Sequence, residues 1–415
     1  MPCEQADFVV IGGGPAGAAA ALMLRRHAPG RRVVLLEAGR HDLMKPGEVL
    51  AAVAQGLLRQ LGVWAPFVAA AFVDSRAVVS AWAGEAADEQ NSIYSAQGAG
   101  WQLDRARFDR LLVQAAAAAG AQVRLGTEVR SAVREGQGWR LNLVDGDILA
   151  SAVIWAAGRR WRLARSFGAK LRVHGHLAAY TRFFDRAPGD CRMVIEARPE
   201  GWWYSADLPD RRRVVACLTD PDLGNELRDP KSWYRALAAT RLIAPLLPSG
   251  ARETATSVKS AGTATVDPAA GERWVAAGDC LFAADPLSSR GIVHALRSGI
   301  LAAYAASDMV DGNDELARTR YAMIASQGFA DYASALAAHY AAAARWDTPF
   351  WQRRRPQPEA RAADLYPAAA PPADPKPGES AKTAPGSRVP GEAGIQESNI
   401  LPAVIARKNA KASFR

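Results

Sequence analysis

Cysteine is scarce in this chain of 415 residues: Cys3, Cys191, Cys217 and Cys280 lie far apart, with no Cys-x-x-Cys pair among them. A disulfide framework and a clustered zinc site are therefore not expected, and a reducing, cytoplasmic setting is. Long hydrophobic runs are also missing. The uncharged stretch Phe8–Leu24 is interrupted by Gly12, Gly13, Gly14, Pro15 and Gly17 and follows Glu4 and Asp7, whereas a secretory signal opens on positive charge. No other stretch reaches the roughly 18 apolar residues of a membrane helix, so no integral membrane segment is expected. There is no long basic run with interleaved aromatics and no internal repeat. The net charge of +9 is concentrated in Arg353–Arg415, which carries 11 basic and 6 acidic residues. What remains is close to neutral for its size, which argues against a nucleic-acid partner.

Core-forming material is plentiful: 49% of residues are hydrophobic, with 12 Trp, 11 Phe and 9 Tyr, enough for about two to three folding units at this length. Asp7–Ile11 reads as a short buried strand, Ala18–Arg26 as a helix and Arg32–Glu37 as a second strand. Together they make a βαβ unit. Asp104 caps a helix that runs to about Ala119 and stops at Gly120, and a hairpin turns at Asp145-Gly146-Asp147. Ala152–Ala157 is another apolar strand. Alternating patches at Arg192–Glu196, Trp202–Leu208 and Arg213–Leu218 point to an antiparallel sheet, a different architecture from the opening unit. Arg273–Ala277 is one more buried strand, with helical sequence over Gly291–Val310 and from Asp314 to about Arg345. Beyond Trp351 proline takes over, and 10 of the 25 prolines fall between Arg353 and Arg415, the composition of a disordered tail.

The expected fold class is α/β, a Rossmann-type nucleotide-binding domain with an inserted antiparallel-sheet substrate domain and a helical C-terminal part. The nucleotide-binding segments are 1–65, 98–168 and 266–311, the last contacting the reactive end of the ligand. A substrate-side insertion spans 66–97, the antiparallel sheet 169–265, the C-terminal helices 312–352 and the tail 353–415.

Gly12-Gly-Gly14-Pro15-Ala16-Gly17 has G-x-G-x-x-G spacing directly after a strand and opens a helix. Gly12 permits the tight turn, Gly14 lets backbone approach a pyrophosphate, and Gly17 allows close helix-to-strand packing, while the helix N-terminus supplies donors and a positive dipole. Glu37 stands 20 residues past Gly17, at the end of the second strand, where a carboxylate accepts hydrogen bonds from ribose hydroxyls. These features agree on a dinucleotide. There is no second G-x-G-x-x-G and no cysteine redox pair, which removes the disulfide-reductase class of flavoenzyme.

The distal segment narrows the choice. Gly278-Asp279-Cys280 followed by Asp285-Pro286-Leu-Ser-Ser-Arg290-Gly291-Ile292, paired with the N-terminal glycine motif, resembles flavin-dependent monooxygenases of the para-hydroxybenzoate hydroxylase fold. It is most similar to the branch of flavin-dependent tryptophan halogenases and their non-halogenating relatives, which include flavoproteins of tryptophylquinone maturation. The likeness extends over roughly residues 7–352 and includes Pro46-Gly47-Glu48, the helix start at Gly100–Asp109, Gly201–Pro209 and Arg345–Trp351. Ala157-Gly158-Arg159 departs from the family's Asp-Ala-Thr-Gly-Arg, which puts a polar contact there in question.

The resemblance implies that the dinucleotide is FAD and the first domain an FAD-binding domain. Gly12, Gly14, Pro15, Ala16, Gly17 and Glu37 would hold the ADP half, and Arg105, Gly278, Asp279, Pro286, Gly291 and Ile292 the flavin half. NADH, NADPH or external reduced flavin would deliver electrons. It implies oxygen transfer from a flavin C4a-hydroperoxide to an aromatic or indole group, on a small molecule or a protein-borne tryptophan, with molecular oxygen as co-substrate. Trp82, Trp101, Trp202, Trp203 and Tyr204 either wall the substrate pocket or pack in the core. His294 either reaches the ring or packs on its helix, and Cys280 is either a reactive thiol or a small buried residue.

Halogenation is disfavoured. The branch's halogenases carry an early lysine and a Trp-x-Trp-x-Ile-Pro stretch, whereas no lysine lies between Lys45 and Lys170 and the corresponding stretch reads Trp202-Trp-Tyr-Ser-Ala-Asp-Leu-Pro. Lys45, just before Pro46-Gly47, is a conceivable substitute for that lysine, so a halogenase-like enzyme stays among the rival readings, with a reductase of isoprenoid double bonds and a non-enzymatic nucleotide-binding scaffold. His174 and His176 share one face of an expected strand but have no evident third ligand, so no metal is expected.

Overall fold

The computed structural model describes residues 4–41, 49–185, 189–247, 249–343 and 345–355. Lys45 and Pro46–Glu48 lie outside the described residues, as does the segment 356–415, nearly all of the expected tail.

The first strand, Glu4–Ile11, is the centre of a parallel sheet because its second half is buried on both faces, with Phe8, Val9 and Val10 no more than 1% exposed. It pairs in parallel with Val33–Glu37 on one side and Asp147–Trp155 on the other, and Gln122–Leu125 and Trp274–Ala276 extend the sheet outward. The helix Pro15–His27 forms the first crossover, with proline in its first turn, where a missing N–H costs nothing. Its run Ala18–Ala21 is wholly buried. These small side chains allow the helix Gly291–Asp308 to approach, and at the crossing a Cβ on Gly299 would lie 2.2 Å from the Ala16 carbonyl oxygen. A bulkier residue there would force the two helices apart.

The second sheet has seven strands in the order Glu253–Ser260, Ala178–Phe184, Arg212–Thr219, Gly201–Leu208, Arg192–Arg198, Ala77–Ala81 and Asp88–Asn91. Its first five strands pair antiparallel with one another, as the alternating sequence predicts. The last two come from the segment 66–97, and Ala77–Ala81 joins in parallel to Arg192–Arg198. One face carries Met193, Ile195, Trp202, Ala216 and Leu218. The opposite face carries Tyr180, Val194, Trp203 and Cys217 and is covered by the helix Pro230–Ala238, whose Trp233 N–H donates to the Tyr180 carbonyl at 3.1 Å.

The long helix Asp314–Ala342 and the short Pro349–Gln352 bring the chain back across both parts. Arg353 then pairs with Asp220 at 2.7 Å and with Asp222 at 2.8 Å, and the Arg354 guanidinium lies 3.7 Å from the Phe350 ring centre. The first residues of the expected tail are thus fastened to the second sheet. Among the described residues no helix is long and apolar enough to cross a membrane.

Candidate functional site

A cavity of about 670 Å3 runs between the two sheets. Gly12, Gly14, Pro15, Ala16 and Glu37 line one part, and the Met193, Ile195, Trp202 and Tyr204 face of the second sheet lines the opposite part. Arg105, Gly278, Asp279, Pro286, Gly291 and Ile292 line it between them. Eleven of the twelve residues expected to bind the dinucleotide therefore share one cavity wall, although they come from four separate stretches of chain.

The glycine turn is built as its spacing requires. Gly12 has φ of +108°, and a Cβ there would stand 2.3 Å from the Ala156 carbonyl oxygen. Gly14 caps the helix, and a Cβ on it would meet nothing within 4 Å, so its side is open to the cavity. Gly17 does not line the cavity. Its role is packing, since a Cβ would fall 1.8 Å from the Gly12 carbonyl oxygen. The Glu37 carboxylate accepts from the Gly13 N–H at 2.5 Å and the Gly39 N–H at 2.7 Å, which fixes it beside the loop.

In the middle of the cavity, burial raises the Asp279 carboxyl above the usual range, and the nearby Arg159 and then Arg105 pull it back. Arg159, in sequence only the end of a stretch that departs from the family pattern, ties three loops together. Its Nη1 donates to the Gly262 carbonyl at 2.7 Å and its Nη2 to the Ala284 carbonyl at 2.8 Å, while Nε stands 3.4 Å from Asp279 Oδ2. Arg105 pairs with the fully buried Asp109 at 3.3 Å, and the His41 imidazole lies 3.9 Å from the same carboxylate. The helix Gly291–Asp308 starts in the cavity wall, which directs its positive end inward.

Asp285, the first residue of the Asp-Pro-Leu-Ser-Ser stretch, is a buried carboxyl of the wall. The Leu287 N–H donates to it at 2.9 Å and the Tyr340 O–H at 2.8 Å. Tyr340 in turn accepts from the Trp202 indole N–H at 3.3 Å. Burial keeps the Asp285 pKa raised despite these donors.

The aromatic expectations divide. Trp202 and Tyr204 line the cavity. Trp203 does not, because neighbouring strand residues point to opposite faces, and it packs on Trp233 with ring centres 5.2 Å apart. Trp101 also takes the core alternative: it packs edge-on against Trp64 and Phe67. Trp82 stands behind the wall, donating to the His339 carbonyl at 2.7 Å and contacting Trp202 at 6.2 Å between ring centres. His294 does not line the cavity either. It packs on Phe282 at 4.7 Å, half-buried, and desolvation pushes its pKa down to about 4, so it is neutral there. The Cys280 thiol donates to the Gly158 carbonyl at 3.1 Å, and burial raises its pKa, which makes it a poor nucleophile. His174 bonds Thr265 at 2.8 Å. Among the described residues no three His, Cys, Asp or Glu side chains gather as a metal site.

The donor set fits an elongated dinucleotide. An open glycine cradle and a fixed carboxylate would serve one half, the central Asp279 would meet a sugar-like chain of hydroxyls, and the apolar wall would face a flat ring. Residues 5–182 match the FAD binding domain family. Over 365 residues the chain is 30% identical to LodB of Marinomonas mediterranea, named as an FAD-dependent oxidoreductase, and the match covers 85% of this chain and 97% of LodB. The chain belongs to the FAD-dependent oxidoreductases.

In fold the flavoprotein is similar to the myxobacterial chondrochloren halogenase CndH, with a TM-score of 0.78 and 22% identity over 87% of this chain and 88% of CndH. It is also similar to QhpG, a peptidyl tryptophan dihydroxylase essential for tryptophylquinone cofactor biogenesis, with a TM-score of 0.69 and 24% identity over 86% of this chain and 80% of QhpG.

Proposed function

We propose that this flavoprotein is a monooxygenase that hydroxylates an aromatic ring, most specifically the indole of a tryptophan carried by another protein. The observation that carries the reading is the cavity itself, in which the nucleotide cradle opens directly onto an apolar, aromatic wall of Trp202, Tyr204, Met193 and Ile195. The peptidyl tryptophan chemistry in the name of QhpG supports the choice of substrate. Overall, one ring C–H becomes C–OH, the second oxygen atom leaves as water, and two electrons come from NADH, NADPH or reduced flavin. FAD supplies the oxygen-activating chemistry when bound.

The chain's own residues hold, orient and shield. Gly12, Gly14, Pro15, Ala16 and Glu37 hold the ADP half, while Arg105, Asp279, Pro286, Gly291 and Ile292 hold the flavin half. The positive end of the helix Gly291–Asp308 favours negative charge on the reduced ring. Trp202 and Tyr204 exclude water and orient the substrate ring. Asp285, a buried carboxyl held by the Leu287 N–H and the Tyr340 O–H, fixes Tyr340, which in turn orients the Trp202 indole in the wall.

Two measurements test the reading. Asp279→Ala is expected to weaken FAD retention roughly ten- to a hundredfold, the loss of a hydrogen bond to a charged group worth about 1.5–3 kcal/mol. Unchanged flavin occupancy after gel filtration would remove Asp279 from the assignment. Second, the anaerobically reduced flavoprotein, preloaded with a tryptophan-containing peptide, is mixed with oxygenated buffer in a stopped-flow instrument. An absorbance transient distinct from reduced and oxidised FAD, followed by a peptide whose mass has gained one oxygen atom, is expected. Direct return to oxidised FAD with unmodified peptide favours the reductase reading.

A further inference from the structure

The seven-stranded sheet ends at Glu253–Ser260, which pairs with Ala178–Phe184 on one side and, among the described residues, with no strand on the other. The opposite end of the sheet is the four-residue strand Asp88–Asn91, short and acidic, the usual protection of an edge against pairing. Glu253–Ser260 has eight residues, no proline, and a composition of Thr, Ser and Val that suits a strand. The Ala261 N–H donates to the Leu177 carbonyl at 2.7 Å, and antiparallel ladders alternate with a period of two. The N–H and C=O groups of Thr256, Val258 and Ser260 are thereby directed away from the sheet, and all three residues are exposed.

This edge stands between two cavities. Lys259 and Ser260 line the large cavity, beside Ala179 and Thr181, and also a smaller one of about 280 Å3, beside Ala178 and Tyr180. Alternate residues of the neighbouring strand therefore serve opposite cavities, one on each face of the sheet. Arg228 and Lys259 line the smaller cavity, and no carboxylate does. A segment paired to this edge would direct its successive side chains to alternate faces, and so to the two cavities in turn.

We propose that Glu253–Ser260 docks an extended segment of the protein substrate as an eighth strand, which presents its aromatic residue to the large cavity and an adjacent acidic residue to the cationic smaller one. The proposal rests on the protein-borne substrate named above. Main-chain pairing supplies affinity for the segment, and the two cavities, apolar on one face and cationic on the other, select what it carries.

The test uses the FAD-loaded full chain and fluorescein-labelled Thr-Val-Asp-Trp-Asp-Val-Thr, with binding read by fluorescence anisotropy. The same peptide with lysine for both aspartates is expected to bind about tenfold more weakly or worse. Val258→Pro removes one outward N–H while leaving the inward ladder intact, and it is expected to weaken the acidic peptide about tenfold. Val258→Ala, which keeps that N–H, stays within about threefold. N-methylation of alternate peptide amides gives the same loss without altering the protein, which covers a proline variant that fails to fold. Equal binding of acidic and basic peptides, or affinity indifferent to both proline and N-methylation, overturns the proposal. Anisotropy reads docking without turnover. Edge-dependent binding of a peptide that is never oxidised supports docking and counts against hydroxylation, whereas oxidation of free indoles with no peptide binding counts against docking alone.

Discussion

Gly17→Ala is expected to leave no folded flavoprotein, while Gly14→Val leaves a folded protein that no longer retains FAD. The two glycines belong to one six-residue motif, yet their surroundings are opposite. A Cβ on Gly17 would sit 1.8 Å from the Gly12 carbonyl oxygen and 2.9 Å from its carbon, backbone atoms of the turn that the motif exists to make. Overpacking typically costs about 1–3 kcal/mol where side chains can yield, and here no flexible side chain is available to yield. With native stabilities of about 5–15 kcal/mol, displacing the first helix from the central strand removes much of the margin. At Gly14 a Cβ meets nothing within 4 Å, and its φ of −73° is open to any residue. Valine there costs the fold about 1 kcal/mol through poorer helix capping, but it fills the space into which a pyrophosphate must come. Flavin-to-protein absorbance after gel filtration, with a denaturant melt of each variant, separates the two effects. A Gly14→Val protein with full flavin content, or a Gly17→Ala protein as stable as the parent, contradicts the assignment.

Trp202→Phe is expected to lower kcat/KM for an aromatic substrate about tenfold or more, whereas Trp203→Phe leaves it within about twofold. Both indoles are 2% exposed, and truncation of either to alanine costs roughly 3–5 kcal/mol of stability, so alanine variants would confuse folding with catalysis. Phenylalanine keeps most of the packing. At position 202 it changes the cavity wall and removes the indole N–H that donates to Tyr340, whose O–H in turn bonds Asp285. At position 203 it changes packing on the far face, chiefly against Trp233. Equal kinetic effects of the two substitutions would show that Trp202 has no privileged place in the substrate wall.

The glycine turn, Glu37 at the second strand's end, the capped helix after Asp104 and the Gly278–Ile292 segment were readable because each depends on short-range geometry. Left-handed backbone at Gly12, a cap at Asp104 accepting from the Arg107 N–H at 3.0 Å, and a buried strand before a turn leave marks within a few residues. Arg159 left no such mark. Its importance lies in Gly262 and Ala284, more than 100 residues away, and only the packed chain makes them neighbours. Gly299 was silent for the same reason, since the Ala16 carbonyl that excludes a side chain there belongs to the first helix.

Sequence alone therefore determined the α/β class, the dinucleotide cradle and the antiparallel sheet, because strand and helix periodicity and glycine conformations are local properties of the chain. Strand parity also fixes that Trp202 and Trp203 point apart. Which of them meets the cavity, and that Trp101, Trp203 and His294 pack away from it, was decided only by tertiary structure. The face of a sheet that becomes a site depends on what docks against it: here the nucleotide domain lies against one face and the helix Pro230–Ala238 against the other.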